Sequence, residues 1–343
     1  MRRYRIAVIP GDGIGPEVMS ATLPILEAVS ETRGELEFEF ITLRAGDGAK
    51  EELGEALPKE TVREVERCDA CLFAAVGRSA SEVILPLRQR LDLYANVRPA
   101  KIYPNIPALA GKADLVMVRE NTEDLYRRVG FRGEDWGVAL RIITRRASER
   151  IARYAFELAR REGRRRVTSV HKANVLDHTD EIFLEACRRV AGDYPEIEYE
   201  EMIVDTCAMR LVMTPEHFDV LVTTNMFGDI LSDLAAGLVG GLGMAPSGNI
   251  GESRAIFEPV HGSAPDIAGR GIANPIATIL SAKMMLEWLG EADAARDIER
   301  GVVEALERGA PLTPDLGGSA KTWELAEAIR RVILNKSGAQ KEF

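Results

Sequence analysis

Two acidic residues stand on a predicted helix that is otherwise almost entirely apolar. Asp229 and Asp233 lie four residues apart in NMFGDILSDLAAGLVGG, so they share one helical face. Because two neighbouring carboxylates repel each other and are costly to bury, the pair requires cations, and a divalent ion with oxygen ligands fits. The alternative is a pair of ordinary solvent-facing acids. Asp205, which follows a β-like run in IVDTCAM, is a candidate third ligand.

Three arginines stand at the ends of apolar segments. Arg88 and Arg98 lie within SEVILPLRQRLDLYANVRP, and Arg119 ends the run DLVMVR. The guanidinium group binds a carboxylate through two parallel hydrogen bonds, so the three together predict an acidic substrate with more than one carboxylate. Any one of them alone is more typical of a surface ion pair.

A lysine and a tyrosine are candidates for proton transfer. Lys172 closes another apolar run in HKAN, and Tyr126 lies in ENTEDLY, which begins just after Arg119. Either side chain could act as an acid or a base if its surroundings lowered its pKa.

The glycine-rich stretch IPGDGIGPEV, residues 9–18, raises the question of a dinucleotide. A Rossmann fingerprint requires glycine at the first, third and sixth positions of its motif. Counting from Gly11 the sixth position is Pro16, and counting from Gly13 it is Val18, so the fingerprint fails. The stretch predicts a sharp strand-to-helix turn that either approaches a ligand through its backbone or is a tight turn only.

Short apolar runs alternate with helical patterns along the chain. The runs RIAVIP, ACLFAAV, DLVMVR, VTSVHKA and DVLVTT are typical of parallel strands, whereas LEFEFITL and GVALRIIT alternate as half-buried strands do. We therefore expect an α/β protein with mixed sheets. A chain of 343 residues is long enough for two domains.

Composition argues against several classes of partner. The formal net charge of −10 disfavours a nucleic-acid or anionic membrane surface, and no apolar run is long enough to span a bilayer or form a signal-peptide core. We expect a cytoplasmic protein with reduced thiols. Cys68 and Cys71 form a lone Cys-x-x-Cys pair, for which we expect core packing rather than zinc binding, because no second pair completes a tetrahedron.

Taken together, the motifs resemble those of the β-decarboxylating dehydrogenases, the family of isocitrate, isopropylmalate and homoisocitrate dehydrogenases. The similar segments, in order along nearly the whole chain, are IPGDGIGPE, LDLYANVRP, RENTEDLY, HKANV, TTNMFGDILSD, EPVHGSAPDIAG and TPDLGG. The resemblance implies an isopropylmalate-dehydrogenase-like fold, with two α/β domains around a central cleft and no Rossmann motif. Residues 1–96 and 242–343 would form a cofactor-binding domain, and residues 97–241 a domain that binds metal and forms the dimer.

The resemblance also implies how the substrate is held and how protons move. Arg88, Arg98 and Arg119 would bind the carboxylates of a small 2-hydroxy diacid. Tyr126 and Lys172 would handle protons.

A metal site shared between two subunits is implied in the same way. Asp229 and Asp233 of one subunit would hold Mg²⁺ or Mn²⁺ together with Asp205 of the partner subunit. The assembly would be a homodimer, with a tetramer as the alternative.

NAD is the cofactor that the resemblance implies. EPVHGSAPDIAG is similar to the family's adenine-side loop, and the opening loop would contact the nicotinamide half. Because an aspartate accepts hydrogen bonds from ribose hydroxyls but repels a 2′-phosphate, Asp266 favours NAD over NADP; NADP-using relatives have a Lys-Tyr pair where this chain has Asp266 and Ile267. The implied cofactor residues are Ile14, Glu258, His261, Gly262, Ala264, Asp266, Asn274 and Asp315.

The substrate's third substituent distinguishes members of the family. Ser81, Ile84, Leu85 and Arg88 follow the i, i+3, i+4, i+7 spacing of one helical face. Isocitrate enzymes resemble this segment but have Asn four residues before the arginine, and bacterial homoisocitrate enzymes have Arg three before it; here those positions are Ile84 and Leu85. This apolar face favours 3-isopropylmalate, which would be converted to 4-methyl-2-oxopentanoate in leucine biosynthesis.

Two alternatives remain. Homoisocitrate is the second candidate substrate, because bacterial isopropylmalate enzymes have Glu where this chain has Ser81, and because Arg127 and Arg128 add positive charge; isocitrate, tartrate or malate would be minor substrates. A regulatory subunit without activity is the other alternative, although such subunits usually lose metal or proton-transfer residues that are present here.

Overall fold

The computed structural model describes residues 1–339, with side chains through residue 335. The strands in this range are β1 (Arg2–Gly11), β2 (Leu36–Thr42), β3 (Ala70–Ala75), β4 (Ala95–Lys101), β5 (Asp114–Glu120), β6 (Gly130–Arg132), β7 (Gly137–Ala139), β8 (Arg166–His171), β9 (Glu198–Ile203), β10 (Val220–Thr223), β11 (Pro246–Ile250) and β12 (Ala255–Pro259). The helices are α1 (Gly15–Arg33), α2 (Asp47–Leu53), α3 (Lys59–Arg67), α4 (Ala80–Arg90), α5 (Arg145–Glu162), α6 (Asp177–Ala191), α7 (Val204–Met213), α8 (Asn225–Leu238), α9 (Ile276–Trp288), α10 (Ala292–Glu307) and α11 (Thr322–Ala339).

Ten strands form one continuous mixed sheet in the order β2-β1-β3-β12-β11-β4-β5-β10-β8-β9. The strands on both flanks pair in parallel, whereas β11 is antiparallel to β12 and β4, and β4 is antiparallel to β5. Strands β3 and β10 are buried along their whole length, which is why they consist of continuous apolar or small residues. The predicted α/β class with a mixed sheet is confirmed.

The apolar core occupies both faces of the sheet. In β3, Leu72 belongs to one buried cluster and its neighbour Phe73 to another, because successive side chains of a strand point to opposite faces. The two strands at the middle of the sheet, β4 and β5, bring two of the predicted arginines together. Their register pairs Asn96 with Arg119, so Arg98, two residues along β4, lies on the same face as the diagonal neighbour of Arg119.

One strand prediction is wrong in extent. In the segment GVALRIIT only Gly137–Ala139 forms a strand, and it pairs with Gly130–Arg132 in a two-stranded hairpin whose residues are all exposed. The strand part of the segment, Gly137–Ala139, is therefore not packed on a core, whereas Ile143 beyond it is partly buried against the main apolar cluster. The second alternating run is confirmed, since β2 spans Leu36–Thr42 and pairs with β1.

All four cysteines are buried and free of disulfides. Burial raises the pKa of the Cys71 thiol well above its usual value, which keeps this thiol protonated. Cys68 and Cys71 therefore pack in the core, as the sequence predicts. Among residues 1–339, no helix combines the length and apolarity that a bilayer crossing requires.

The turn between β1 and α1 depends on glycine for two reasons. Gly11 has φ +68°, and a Cβ added there would lie 1.8 Å from the carbonyl oxygen of Ala75. Gly34, at the end of α1, has nearly the same φ of +66°, but a Cβ there would meet nothing within 4 Å. Both positions therefore require a left-handed backbone, but only at Gly11 is there no room for a Cβ.

We expect Gly11→Ala to lower the free energy of unfolding by at least ~2 kcal/mol more than Gly34→Ala. Both variants bear the cost of a left-handed backbone, about 1 kcal/mol or more, but only the first adds a steric overlap. Urea unfolding followed by circular dichroism measures both midpoints. Equal midpoints would show that β3 moves away from the turn at little cost.

Candidate active site

Arg119 lies at the centre of a cluster of charged side chains. Its side chain is 1% exposed, and its Nε and Nη2 donate to Oδ1 of Asn225 at 3.0 and 2.7 Å. Its Nη1 donates to Oδ1 of Asp229. Burial, reinforced by repulsion from Arg98, lowers the pKa of Arg119 to about 9, so the guanidinium remains cationic at neutral pH.

The close approach of α8 to this arginine requires a glycine. A Cβ at Gly228 would lie 2.6 Å from Cβ and Cγ of Arg119. The helix therefore presents Asn225 and Asp229, one turn apart, directly to the guanidinium.

Arg98 makes a second link to α8. Its buried Nη1 donates to Oγ of Ser232 at 2.7 Å and to Oδ1 of Asp233 at 3.3 Å, and it lies 3.3 Å from Oδ1 of Asp229. Burial lowers the pKa of Arg98, while Asp229 opposes this shift. The two carboxylates of α8 thus face two arginines.

The two carboxylates are not equally compensated. Burial raises the pKa of Asp229, but Arg119 and Arg98 outweigh burial, so the net shift is downward. For Asp233, burial dominates over the attraction of Arg98 and the pKa is raised, although the side chain is 54% exposed. The arginines therefore compensate the negative charge of Asp229 but not that of Asp233.

Tyr126 contacts the same carboxylate pair. It lies in the 3-10 turn Asp124–Arg127, and its hydroxyl donates to Oδ2 of Asp229. The Arg119 guanidinium lies 4.9 Å from the centre of its ring. Burial raises the pKa of Tyr126, and the hydrogen bond to Asp229 adds to this although Arg119 opposes it. The surroundings of Tyr126 thus raise its pKa instead of lowering it, so the hydroxyl stays protonated.

Arg88 reaches the site from α4. Its side chain is buried, and its Nη2 lies 3.2 Å from Oε1 of Glu258 in β12, which also accepts from Nδ2 of Asn249 at 2.7 Å. Arg88 is close enough to act on the pKa values of Arg98 and Arg119. The three predicted arginines are therefore brought together.

Two of these arginines each have a hydrogen-bond donor without a partner among the described residues. Among the described side chains, Nε of Arg88 and Nε of Arg98 are buried and have no hydrogen-bond partner. A buried donor without a partner costs free energy, which an anionic ligand would recover by accepting the hydrogen bond. These atoms are the donors that a substrate carboxylate would use.

The rest of the predicted substrate face lies on α4. Ile84 and Leu85 are partly exposed and stand one turn before Arg88, while Ser81 is exposed one turn further back. Ile84 packs against a buried apolar cluster that also contains Val83 and Leu87. The face that precedes the arginine is therefore apolar.

Lys172 and Asp205 lie apart from this cluster. Nζ of Lys172 donates to Oδ1 of Asp205 at 2.6 Å, and this hydrogen bond lowers the pKa of Asp205. In the described part of the chain, neither side chain hydrogen-bonds to Asp229 or Asp233, and no group of three metal-ligating side chains is present. Within one chain, the predicted third acid is not assembled with the other two.

The opening loop meets the predicted adenine-side loop. The amide of Ile14 donates to the carbonyl of Ser263 at 2.9 Å, and a Cβ at Gly13 would lie 2.0 Å from that same oxygen. The sequence reasoning missed a third link, the carboxylate of Glu17, which accepts from the amides of Gly271 and Ala273 at 3.1 and 2.8 Å. The acidic residue in the first turn of α1 was the available signal.

The remaining predicted cofactor residues surround the same loop. Asn274 donates to Asp315 at 3.0 Å. His261 contacts the carbonyl of Gly262 through Nδ1 at 3.0 Å, its Nε2 is buried without a partner among the described residues, and burial lowers its pKa, so the ring is neutral at pH 7. Ala264 has φ +38°. The exposed members of the set are Gly262, Asp266 and Asp315.

Comparison with known proteins identifies the class of enzyme to which this chain belongs. The sequence model described as isocitrate/isopropylmalate dehydrogenase matches residues 5–329, and the chain belongs to this family. It is therefore a β-decarboxylating dehydrogenase, an oxidoreductase, as the resemblance of its motifs implies.

Individual relatives are similar over almost their entire length. The chain is 55% identical to 3-isopropylmalate dehydrogenase of Archaeoglobus fulgidus over 329 residues, which is 96% of this chain and 99% of that protein. It is 53% identical to isocitrate/homoisocitrate dehydrogenase of Thermus thermophilus, covering 95% of this chain and 97% of that one. The crystal structure of isocitrate dehydrogenase from Methylococcus capsulatus matches with a TM-score of 0.91 at 46% identity, over 96% and 99% of the two chains. The predicted fold family is confirmed.

Proposed function

We propose that this chain catalyses the NAD- and metal-dependent oxidative decarboxylation of 3-isopropylmalate to 4-methyl-2-oxopentanoate, a step of leucine biosynthesis. The observation that carries the proposal is the meeting of Arg88, Arg98 and Arg119 beside the apolar face of Ile84 and Leu85 on α4. Three guanidinium groups suit the two carboxylates of the substrate, and the apolar face suits its isopropyl group.

Overall similarity does not choose between the substrates of the family. Relatives named for 3-isopropylmalate and for isocitrate/homoisocitrate are 55% and 53% identical to this chain. The physical difference lies in the third substituent. Burying an isopropyl group against Ile84 and Leu85 gains roughly 2 kcal/mol at ~0.8 kcal/mol per methylene-sized group, whereas a free carboxylate there would lose hydration without a partner.

The residues of α8 fit a divalent cation. Asp233 has a raised pKa that its arginine neighbour does not correct, and a second carboxylate stands one turn away. A cation between Asp229 and Asp233 would supply the missing positive charge, and oxygen ligands suit Mg²⁺ or Mn²⁺. When bound, the ion would act as a Lewis acid toward the 2-hydroxyl oxygen of the substrate, and NAD would accept the hydride.

Side chains from both subunits would bind the substrate and move its protons. Arg88 and Arg98 would donate their unpartnered Nε groups to its carboxylates. Lys172 of the partner subunit would accept the proton of the 2-hydroxyl, directly or through water. After carbon dioxide leaves, Tyr126 would protonate the enol carbon, a role for which its hydroxyl must carry a proton, as its raised pKa ensures.

A homodimer would complete the site. Asp205 is paired with Lys172, so a partner subunit that supplies one would supply both. The helices next to these residues expose large apolar side chains, among them Met213 on α7 and Ile230 on α8, the latter 61% exposed. Such a surface is unusual for a monomer and suits a second copy of the chain. The hairpin also exposes two large apolar side chains, Phe131 and Trp136.

The cofactor would bind where the opening and adenine-side loops meet. The exposed carboxylate of Asp266 favours the ribose hydroxyls of NAD over a 2′-phosphate. The division into a first domain of residues 1–96 and 242–343 and a second of residues 97–241 belongs to this proposal. The antiparallel strands β4 and β11 would then lie where the two domains meet.

Purified protein supplied with Mg²⁺ and NAD tests the proposal. We expect kcat/KM for 3-isopropylmalate to exceed that for homoisocitrate by about 30-fold, the equivalent of roughly 2 kcal/mol. A ratio below one would make homoisocitrate the substrate. No reduction of NAD with any of these acids would identify a regulatory subunit instead.

Leu85→Arg should reverse this preference. An arginine one turn before Arg88 would pair with the extra carboxylate of homoisocitrate and would remove an apolar contact from the isopropyl group. The ratio of the two kcat/KM values measures the change. Leu91→Met, farther along the chain and packed on the buried cluster around Ile84, is the matched control that should leave the ratio unchanged. An unchanged ratio in Leu85→Arg would place the specificity elsewhere.

A further inference from the structure

Arg141 is a largely buried side chain that the proposed chemistry does not use. It follows the exposed hairpin, yet its side chain is only 10% exposed. Its Nε donates to Oδ1 of Asp124 at 2.9 Å, and its Nη2 donates to Oγ1 of Thr224 at 2.9 Å. Its Nη1 donates to Oγ1 of Thr179 at 2.7 Å and to Oδ1 of Asp180. The three nitrogens of the guanidinium group thus donate hydrogen bonds to three different segments of the chain.

The first of these contacts leads to Tyr126. Asp124 begins the 3-10 turn that contains the tyrosine, and it has φ +68°, a conformation that costs about 1–3 kcal/mol for a residue other than glycine. Such a residue keeps its conformation only where its surroundings fix it. The carboxylate of Asp124 is fully buried and also accepts from the amide of Met226 at 3.1 Å, in the first turn of α8.

The second contact leads to Lys172. Asp180 is fully buried in α6, and its other carboxylate oxygen, Oδ2, accepts from the backbone amide of Lys172 at 2.6 Å. Asp180 therefore fixes the backbone from which the lysine side chain extends. The third contact, Thr224, immediately precedes α8, which carries Asp229.

A buried charge cluster of this kind is weak evidence for stability, because the desolvation of its members offsets much of their attraction. The cluster has a larger effect on the geometry of the site than on the stability of the fold. The guanidinium is planar and rigid, so it fixes the relative positions of the groups it binds, which a lysine cannot do with a single nitrogen.

We propose that Arg141 is a positioning residue that holds the turn of Tyr126, the backbone of Lys172 and the start of α8 in one fixed arrangement. The inference rests on the proposed function for the roles of Tyr126 and Lys172. It adds that these two groups, which belong to separate segments and, in the proposed dimer, serve two different active sites, are both held in place by one side chain that touches neither.

Arg141→Lys and Thr224→Val test this assignment. The first keeps the charge but loses the planar fork, and the second removes one acceptor with little change of volume. We expect kcat to fall by about 10- to 100-fold in Arg141→Lys and by less in Thr224→Val, with KM for the diacid within about threefold of wild type, because displacements near 1 Å cost that much in rate. The matched control is Arg150→Lys, another partly buried arginine, which is paired with Asp92 and should leave kcat unchanged.

Amide hydrogen exchange without substrate provides a readout that does not depend on activity. In both variants, exchange should rise together in residues 122–128 and 171–173, while strand β1 keeps its protection. Unchanged exchange in either segment overturns the proposal, whether or not the wild-type protein turns over any acid. An unchanged kcat in an active enzyme, or a change in KM alone, overturns it as well. If Arg141→Lys does not fold, Thr224→Val decides by the same criteria. Failure of the wild type to oxidise any of the acids would instead refute the proposed function.

Discussion

Replacing Asp229 by asparagine is expected to lower kcat/KM by about 10³-fold or more at saturating Mg²⁺. The proposed cation would contribute several kcal/mol to the transition state, and about 4 kcal/mol corresponds to this factor. Asparagine keeps the shape of the side chain but loses the charge that the cation and Arg119 require. Steady-state formation of NADH from 3-isopropylmalate measures the effect.

Two comparisons separate the cation from the arginine and the tyrosine that also contact Asp229. Asp193→Asn, which alters an exposed ion pair with Arg153, should leave kcat/KM unchanged. Wild-type enzyme treated with a chelator should lose turnover and regain it when Mg²⁺ is added. Full turnover after chelation would mean that Asp229 serves only to hold Arg119 and Tyr126, and the metal role would be wrong.

The second large effect is expected from Tyr126→Phe. The variant should still oxidise the alcohol, but decarboxylation followed by protonation should slow by about 10²- to 10⁴-fold, the usual contribution of a positioned acid. The reason is that burial and the hydrogen bond to Asp229 keep Tyr126 protonated, so its hydroxyl carries the proton that this step transfers and phenylalanine has none to give.

The two half-reactions can be observed separately. NADH formed in a single turnover reports oxidation, and carbon dioxide released from the isolated 2-oxo intermediate reports the later step. Loss of both steps by the same factor would contradict the role of proton donor and would indicate that Tyr126 mainly positions Asp229. Tyr94→Phe, at a partly buried tyrosine that stacks on Arg150, provides a control for the loss of a hydroxyl.

The parts of this protein that depend on local pattern could be predicted from the sequence. Continuous apolar runs such as ACLFAAV became buried strands, because a strand with both faces covered can carry only apolar or small side chains. The two acids of α8 stood out because helical periodicity put them on one face of an apolar helix. The same periodicity would have found Asn225, which lies one turn before Asp229 and binds Arg119.

Other features could not be predicted from local pattern. The alternation in GVALRIIT is that of a half-buried strand, but most of it forms no strand, and Arg141 within it is buried by charge pairs that come from Asp124 and Asp180. The pairing of Lys172 with Asp205 was also missed, because it joins residues from separate segments.

Local pattern was enough to predict the class of fold and the residue types available for chemistry, because periodicity and turn residues act over a few positions of the chain. Which of these residues meet depends on the arrangement of distant segments. Arg98 and Arg119 share a face because β4 and β5 are antiparallel in one register, and Arg88 of α4 meets Glu258 of β12 across 170 positions of the chain. Such contacts depend on how distant strands are ordered in the sheet, and that order follows from packing of the whole core rather than from any local pattern.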